Sequence, residues 1–237
     1  MHMISSYFDR LRQIDQRFQK MGSGMKTALS VLIILLIGTV GCRGPHGPAD
    51  LASGSTSETQ RGGEGTKLLT ATFAGGCFWC TEADFEKAVG VVKVISGYAG
   101  GKGANPTYED FASKGYVQAV QVFYDPHRTS YRNLLDYFWR HINPTDSGGQ
   151  FIDRGVEYRS IIFYKDDEQR RLAEKSKSDL EKSGRFSKPI VTEILPLTEF
   201  YPAEANHQDY YKAHPLRYRI YRNRTGRDEF LLKVWGN

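Results

Sequence analysis

Cysteine is scarce in this chain, with three among 237 residues, and that scarcity narrows the chemistry. A zinc site takes about four ligands, and because Cys42 lies in an apolar N-terminal segment, only Cys77 and Cys80 remain to form half of one. No metal is therefore expected. A long apolar run is also missing: residues 28–42 form the one such stretch, shorter than the ~20 residues of an ordinary spanning helix. No internal repeat is visible, and no glycine fingerprint for a nicotinamide or flavin is evident, so no bound cofactor is expected. Charge of one sign is not in large excess either, the formal net charge being +5. The 40 % hydrophobic content, with the N-terminal region set aside, suits one compact domain.

The N-terminus reads as an export signal. Basic residues including Lys26 precede the apolar stretch that ends in Thr39-Val40-Gly41-Cys42, which suits a signal-peptide core. Those four residues resemble the lipobox of bacterial lipoproteins, with Cys42 as the lipidated position and Thr39 a departure from the usual leucine-like residue. Residues 1–42 are thus expected to be an N-terminal extension and signal, with translation beginning at Met1 or Met25. Residues 43–66, rich in Gly, Ser, Thr and Pro, read as a flexible tether. A domain over residues 67–237 would then be exported, anchored by lipid and facing the periplasm. Near the C-terminus Arg217, Arg219, Arg222, Arg224 and Arg227 alternate with Tyr218 and Tyr221. This stretch is expected to be a solvated tail along the domain or near anionic lipid, and nucleic acid is not an expected partner.

The run Gly75-Gly76-Cys77-Phe78-Trp79-Cys80 places a cysteine where an extended segment turns into a helix. Residues 68–74 predict a strand, two glycines the turn, and Phe78, Phe85 and Val89 the buried side of a helix that stops at Gly90. Free N–H groups and the helix dipole favour an anion at a first turn, so Cys77 is expected to ionise more readily than a free cysteine. Cys80 lies one helical turn on and shares that face, near disulfide geometry, so the pair can store two electrons. The pattern also fits a general thiol-disulfide oxidoreductase.

Further strands are expected over residues 91–96, 117–124, 160–164 and 190–195. Helices are expected over 131–142, with Leu134, Leu135, Phe138 and Ile142 inward, and over 166–182, with Leu172 and Leu180 inward. This mixture predicts an α+β two-layer sandwich. Residues 143–158 have no period and many Gly and Asp, which marks a candidate site loop.

The Gly-Cys-Phe-Trp tetrapeptide opening a helix resembles the signature of the A-type peptide methionine sulfoxide reductases. Family-like segments follow in family order: Gly97-Tyr98-Ala99-Gly100-Gly101, Asn105-Pro106-Thr107-Tyr108, Tyr124-Asp125-Pro126, Asn143-Pro144-Thr145-Asp146, the run Gly149 to Gly155, Tyr158-Arg159-Ser160 and Phe200-Tyr201-Pro202-Ala203-Glu204. The resemblance spans about residues 67 to 215. It implies a ferredoxin-like core with long irregular loops, and reduction of methionine-S-sulfoxide, free or in proteins. Cys77 would be the nucleophile and Cys80 the thiol that closes a disulfide, which a thioredoxin-like partner reopens. Phe78 and Trp79 would cage the methyl group, while Tyr108, Tyr158 and Asp153 would polarise the sulfoxide or hold a water near it. His207 is read as structural.

One position departs from the pattern. Gly115-Tyr116-Val117-Gln118 stands where the family has Gly-His-Ala-Glu, whose glutamate is the expected proton donor. Alternation along the strand puts Gln118 beside Val120 and Val122 on an apolar side, where its amide needs partners. An amide can orient the oxygen but not release a proton. A tyrosine, a water or bulk solvent must supply it, or the enzyme is slow, or the domain is a catalytically weak methionine-sulfoxide-binding lipoprotein.

Overall fold

The computed structural model describes residues 67–236. The readings of a signal segment, a lipidated Cys42 and a tether lie outside the described residues. Among the described residues no helix is long and apolar enough to cross a membrane.

Strand β1 (Leu69–Gly75) runs down the middle of a mixed α+β fold. It pairs antiparallel with β3 (Val117–Tyr124) on one side and β6 (Ser160–Tyr164) on the other. β2 (Val91–Ala99) extends the sheet beyond β3, and β8 (Phe200–Pro202) closes that edge, both antiparallel. β7 (Glu193–Pro196) lies parallel to β6, giving the order β7-β6-β1-β3-β2-β8. Strand alternation divides the apolar side chains. Ala71, Phe73, Val94, Val120, Val122 and Ile162 meet the helices, while Ala74, Ala99, Val117, Ala119, Ile161 and Phe163 form a smaller cluster with Leu195, Leu197 and Phe200.

Helix α1 (Phe78–Phe85) follows β1 after the Gly75-Gly76 turn. Gly76 has a φ of +87°, and a Cβ there would come within 2.5 Å of Gln150 Cβ, so conformation and space both call for glycine. α1 ends short of the expected Gly90 stop. The Lys87 and Ala88 N–H groups bond back three residues, to Asp84 and Phe85, and the tightened turn leaves Val89 74 % exposed rather than inward.

Helix α2 (Tyr131–Trp139) is capped by Ser130, whose hydroxyl accepts the Asn133 N–H, and buries Leu134, Leu135 and Phe138 as its period predicts. Asp166 caps α3 (Asp167–Lys182) in the same way through Gln169 N–H. The Gln169 side chain then donates to Thr70 O at 2.8 Å, tying α3 to β1. The strand expected over 190–195 forms later, as β7, and Ile190 is buried ahead of it.

The aperiodic stretch 143–158 contains a two-stranded hairpin, β4 (Gly149–Gln150) with β5 (Asp153–Arg154), and a 3-10 turn, Val156–Tyr158. The C-terminal stretch is not the solvated tail its composition suggested. It folds as α4 (Tyr210–Ala213), α5 (Pro215–Arg224) and α6 (Arg227–Trp235), and it turns Arg222 and Arg227 inward. Arg227 is only 1 % exposed. Its guanidinium stays buried because it donates to Gly75 O at 2.9 Å and His141 O at 2.5 Å and lies 4.5 Å over the Phe151 ring.

Candidate active site

Cys77 is the N-cap of α1, with φ −55° and ψ 122°, and its carbonyl accepts the Cys80 and Thr81 N–H groups, both at 3.1 Å. Both cysteines are free and buried, and their side chains hydrogen-bond each other. The sulfur makes no cap bond of its own. The first N–H of the helix, that of Phe78, is taken by Gln118 Oε1 at 3.0 Å, the partner that this buried amide required.

This arrangement changes the expected ionisation. Burial pushes the Cys77 thiol well up, the hydrogen-bonded Cys80 and the charge of Asp153 add to that, and only the neighbouring Tyr221 hydroxyl works the other way. Cys80 is lowered to about 7, first by the hydrogen bond from Cys77 and then, against its own burial, by Arg227 and Arg222. The last proton of the pair therefore rests on Cys77. The helix terminus does not make Cys77 the ready thiolate, because desolvation outweighs the dipole.

The other expected residues converge on the same point. Burial first, and then the charge of Cys77, raise Tyr108 to about 12. Tyr158 is raised by burial and by Tyr108 and Cys77. Both phenols are thus neutral groups near the sulfur, and the Tyr108 hydroxyl also hydrogen-bonds Gln118. Burial raises Asp153, with the Tyr221 hydrogen bond and Arg227 opposing. Tyr108 is held by Glu204, whose Oε1 accepts its N–H at 2.8 Å while Oε2 accepts the Tyr98 hydroxyl at 2.8 Å. Phe78 is 1 % exposed, its ring tilted against those of Trp79, Tyr98 and Tyr108. Trp79 stacks on Tyr210 with centroids 3.8 Å apart. His207 is buried against this group, 4.4 Å from the Tyr108 ring and 5.7 Å from Trp79. Among the described residues no metal-holding group of three His, Cys, Asp or Glu side chains occurs.

Four site residues escaped the sequence reading, and all lie in the C-terminal helices. The Tyr221 hydroxyl donates to Asp153 Oδ2 at 2.6 Å. Tyr218, one turn earlier on α5, hydrogen-bonds Cys80. Arg222 donates to Asp84 Oδ2 at 2.9 Å beneath α1, and Arg227 braces the carbonyl of Gly75. The signal for them was the alternation of Arg and Tyr, which resembles a solvated face until its partners are known.

A sequence profile of the family described as "Peptide methionine sulfoxide reductase" matches residues 69–237. The peptide methionine sulfoxide reductase MsrA of Halalkalibacterium halodurans is 51% identical over 172 residues, 72% of this chain and 98% of that protein. The MsrA of Bacillus licheniformis is 54% identical over 172 residues, 72% of this chain and 95% of that protein. Among solved structures, reduced Mxr1 from Saccharomyces cerevisiae superposes with a TM-score of 0.60 at 32% identity, covering 65% of this chain and 89% of that one. The methionine sulfoxide reductase A of Corynebacterium diphtheriae gives 0.57 at 32% identity, over 65% and 78%.

Proposed function

The chain belongs to the peptide methionine sulfoxide reductase family, and from that premise we propose that it reduces methionine-S-sulfoxide, free or in proteins, with Cys77 and Cys80 as its redox centre. The observation that carries this reading is a pair of buried, free, hydrogen-bonded cysteines at the start of a helix, faced by two neutral phenols and a carboxyl group.

Cys77 sulfur attacks the sulfoxide sulfur, and oxygen passes to Cys77 as methionine leaves, giving a sulfenic acid. Tyr108 and Tyr158 hydrogen-bond the oxygen, and Gln118 fixes the helix start on which Cys77 rides. The methyl group rests in the corner between Phe78 and Trp79, whose rings tilt 43° to one another. Cys80, already lowered towards 7, is the thiolate that condenses with the sulfenic acid, expelling water and closing the disulfide. A thioredoxin-like dithiol reopens it by exchange.

The antiparallel order β6-β1-β3-β2, with α1 and α2 packed on one face, supports the ferredoxin-like, two-layer reading of the core. The lipobox-like Thr39-Val40-Gly41-Cys42 after a short apolar run supports an exported, lipid-anchored form facing the periplasm, on a tether of residues 43–66. Incorporation of labelled fatty acid that Cys42→Ser abolishes tests the anchor, and persistent labelling in that variant refutes it.

The activity is tested by supplying the full chain with dithiothreitol and separate S and R epimers of a methionine-sulfoxide peptide. Turnover of the S epimer alone is expected. No turnover by folded, reduced protein would overturn the proposal, and activity on protein disulfides alone would favour a general thiol-disulfide oxidoreductase.

A further inference from the structure

Resting on the reductase reading, we propose that Tyr221, held by Asp153 against Cys77, is a catalytic residue that takes up the Cys77 proton and returns it to the departing sulfoxide oxygen. The reaction has a proton problem at both ends. Cys77 begins as a buried thiol and must lose a proton to attack, and the sulfoxide oxygen must gain one to leave. Gln118 has no acidic proton, and its Oε1 is committed to the Phe78 N–H at 3.0 Å. Tyr108 and Tyr158 lie near the sulfur, but among the described residues neither has a carboxylate hydrogen-bonded to its hydroxyl to take or give a proton behind it.

Tyr221 has both connections. Its hydroxyl donates to Asp153 Oδ2 at 2.6 Å, and it lies beside Cys77, whose thiol it lowers. The geometry comes from the match between two helices. Cys77 and Cys80 are separated by one turn at the head of α1, and Tyr221 and Tyr218 by one turn on α5, so each phenol meets one sulfur. The Trp79 ring, in edge contact with Tyr221 at 6.1 Å, fixes that phenol from the side.

The step balances without an outside proton. The Cys77 S–H turns from Cys80 to Tyr221, and its proton moves to Tyr221 O as the Tyr221 O–H proton moves to Asp153. The Cys77 sulfur bonds the sulfoxide sulfur, whose bond to oxygen breaks as oxygen transfers to Cys77, and Asp153 returns the proton through Tyr221 to that oxygen. Methionine sulfur is reduced by two electrons, Cys77 is oxidised by two, and the products are methionine and Cys77 sulfenic acid. The elevated Asp153 makes it a carboxyl able to hold the proton between the two transfers.

The test is single-turnover release of methionine from an S-epimer peptide by the pre-reduced full chain, from about pH 6 to about pH 9. Tyr221→Phe is expected to slow release ~10²-fold or more and to make it more strongly pH-dependent. Adding Gln118→Glu to Tyr221→Phe is expected to recover at least about tenfold by restoring a carboxyl beside the sulfur. A Tyr221→Phe rate within about threefold of wild type at every pH would overturn the relay, as would a loss that Gln118→Glu leaves untouched. Circular dichroism checks the fold, and if Tyr221→Phe unfolds, Asp153→Asn carries the same expectation with Tyr221 in place. A wild-type chain that releases no methionine overturns the reductase reading itself, so the two failures are distinguishable.

Discussion

Gln118 Oε1 accepts the Phe78 backbone N–H at 3.0 Å, so a side chain from β3 caps the first turn of α1 where the cysteine cannot. Gln118 is 2 % exposed. Gln118→Leu would leave that N–H buried without an acceptor, a loss of about 1–3 kcal/mol. Gln118→Glu keeps an acceptor oxygen and should fall well short of that. Urea unfolding of the reduced proteins measures both, and equal midpoints for Gln118→Leu and wild type would remove the capping role.

The two cysteines have separable roles. Cys77→Ser should abolish turnover with any reductant, since no sulfur is left to attack. Cys80→Ser should still release about one methionine per enzyme, because the sulfenic acid forms without it, and should lose recycling by a thioredoxin-like donor. Quantified methionine with and without donor separates the steps. Full recycling by Cys80→Ser would mean that another group resolves the sulfenic acid.

Glu82 gives the domain a pH-dependent weakness. It is fully buried on α1 and pushed up to about 7, first by burial, with the hydrogen bond from Asp209 N–H opposing. The folded carboxyl holds its proton to about 7, whereas in the unfolded chain it releases it near the ordinary ~4.3. Between those values the unfolded state binds fewer protons, so stability falls as pH rises, and above 7 the penalty is complete. Glu82→Gln keeps an acceptor for the Asp209 N–H, 3.2 Å away, and cannot ionise. At ~1.4 kcal/mol per pKa unit the variant should be more stable by on the order of 3–4 kcal/mol at about pH 8, with no gain at about pH 4. Denaturant unfolding at the two pH values checks this, and a gain equal at both would refute it.

The cysteine helix, the central strands and α2 were legible because they rest on local periods. Phe78 and Phe85 recur on a helical face, and Val120 and Val122 on a strand face. Gln118 stood out as the wrong residue on that face, and the structure gives it a partner there. The C-terminal helices were not legible, because burial of an arginine depends on acceptors far along the chain. Arg227 bonds carbonyls 152 and 86 residues away, at Gly75 and His141. The one-turn spacing of Tyr218 and Tyr221 gains meaning only once α5 faces α1. Val89 was misplaced for a local reason: helical period continues past Phe85 in the sequence, but the backbone tightens there and turns it outward.

Arg222 links the C-terminal helices to the resolving thiol. Its side chain is 11 % exposed and pairs with Asp84 at 2.9 Å and Asp228 at 2.6 Å, and its charge is among those that lower Cys80. Arg222→Met removes that cation and leaves Asp84 buried and uncompensated. Loss of the cation raises Cys80, so its thiolate should form above the present midpoint of about 7, and disulfide closure at neutral pH should slow. Breaking a buried pair from one side also costs ~3–5 kcal/mol. Adding Asp84→Asn removes the stranded charge and should restore part of the stability. The Cys80 midpoint should stay above that of wild type, because Arg222 acts on Cys80 more strongly than Asp84 does. Ultraviolet thiolate absorbance across pH, taken as the difference from Cys80→Ser in each background, reads the midpoint directly. A midpoint unchanged by Arg222→Met would show that Cys77 and Arg227 alone hold Cys80 low, and that Arg222 serves only to dock α5 against α1.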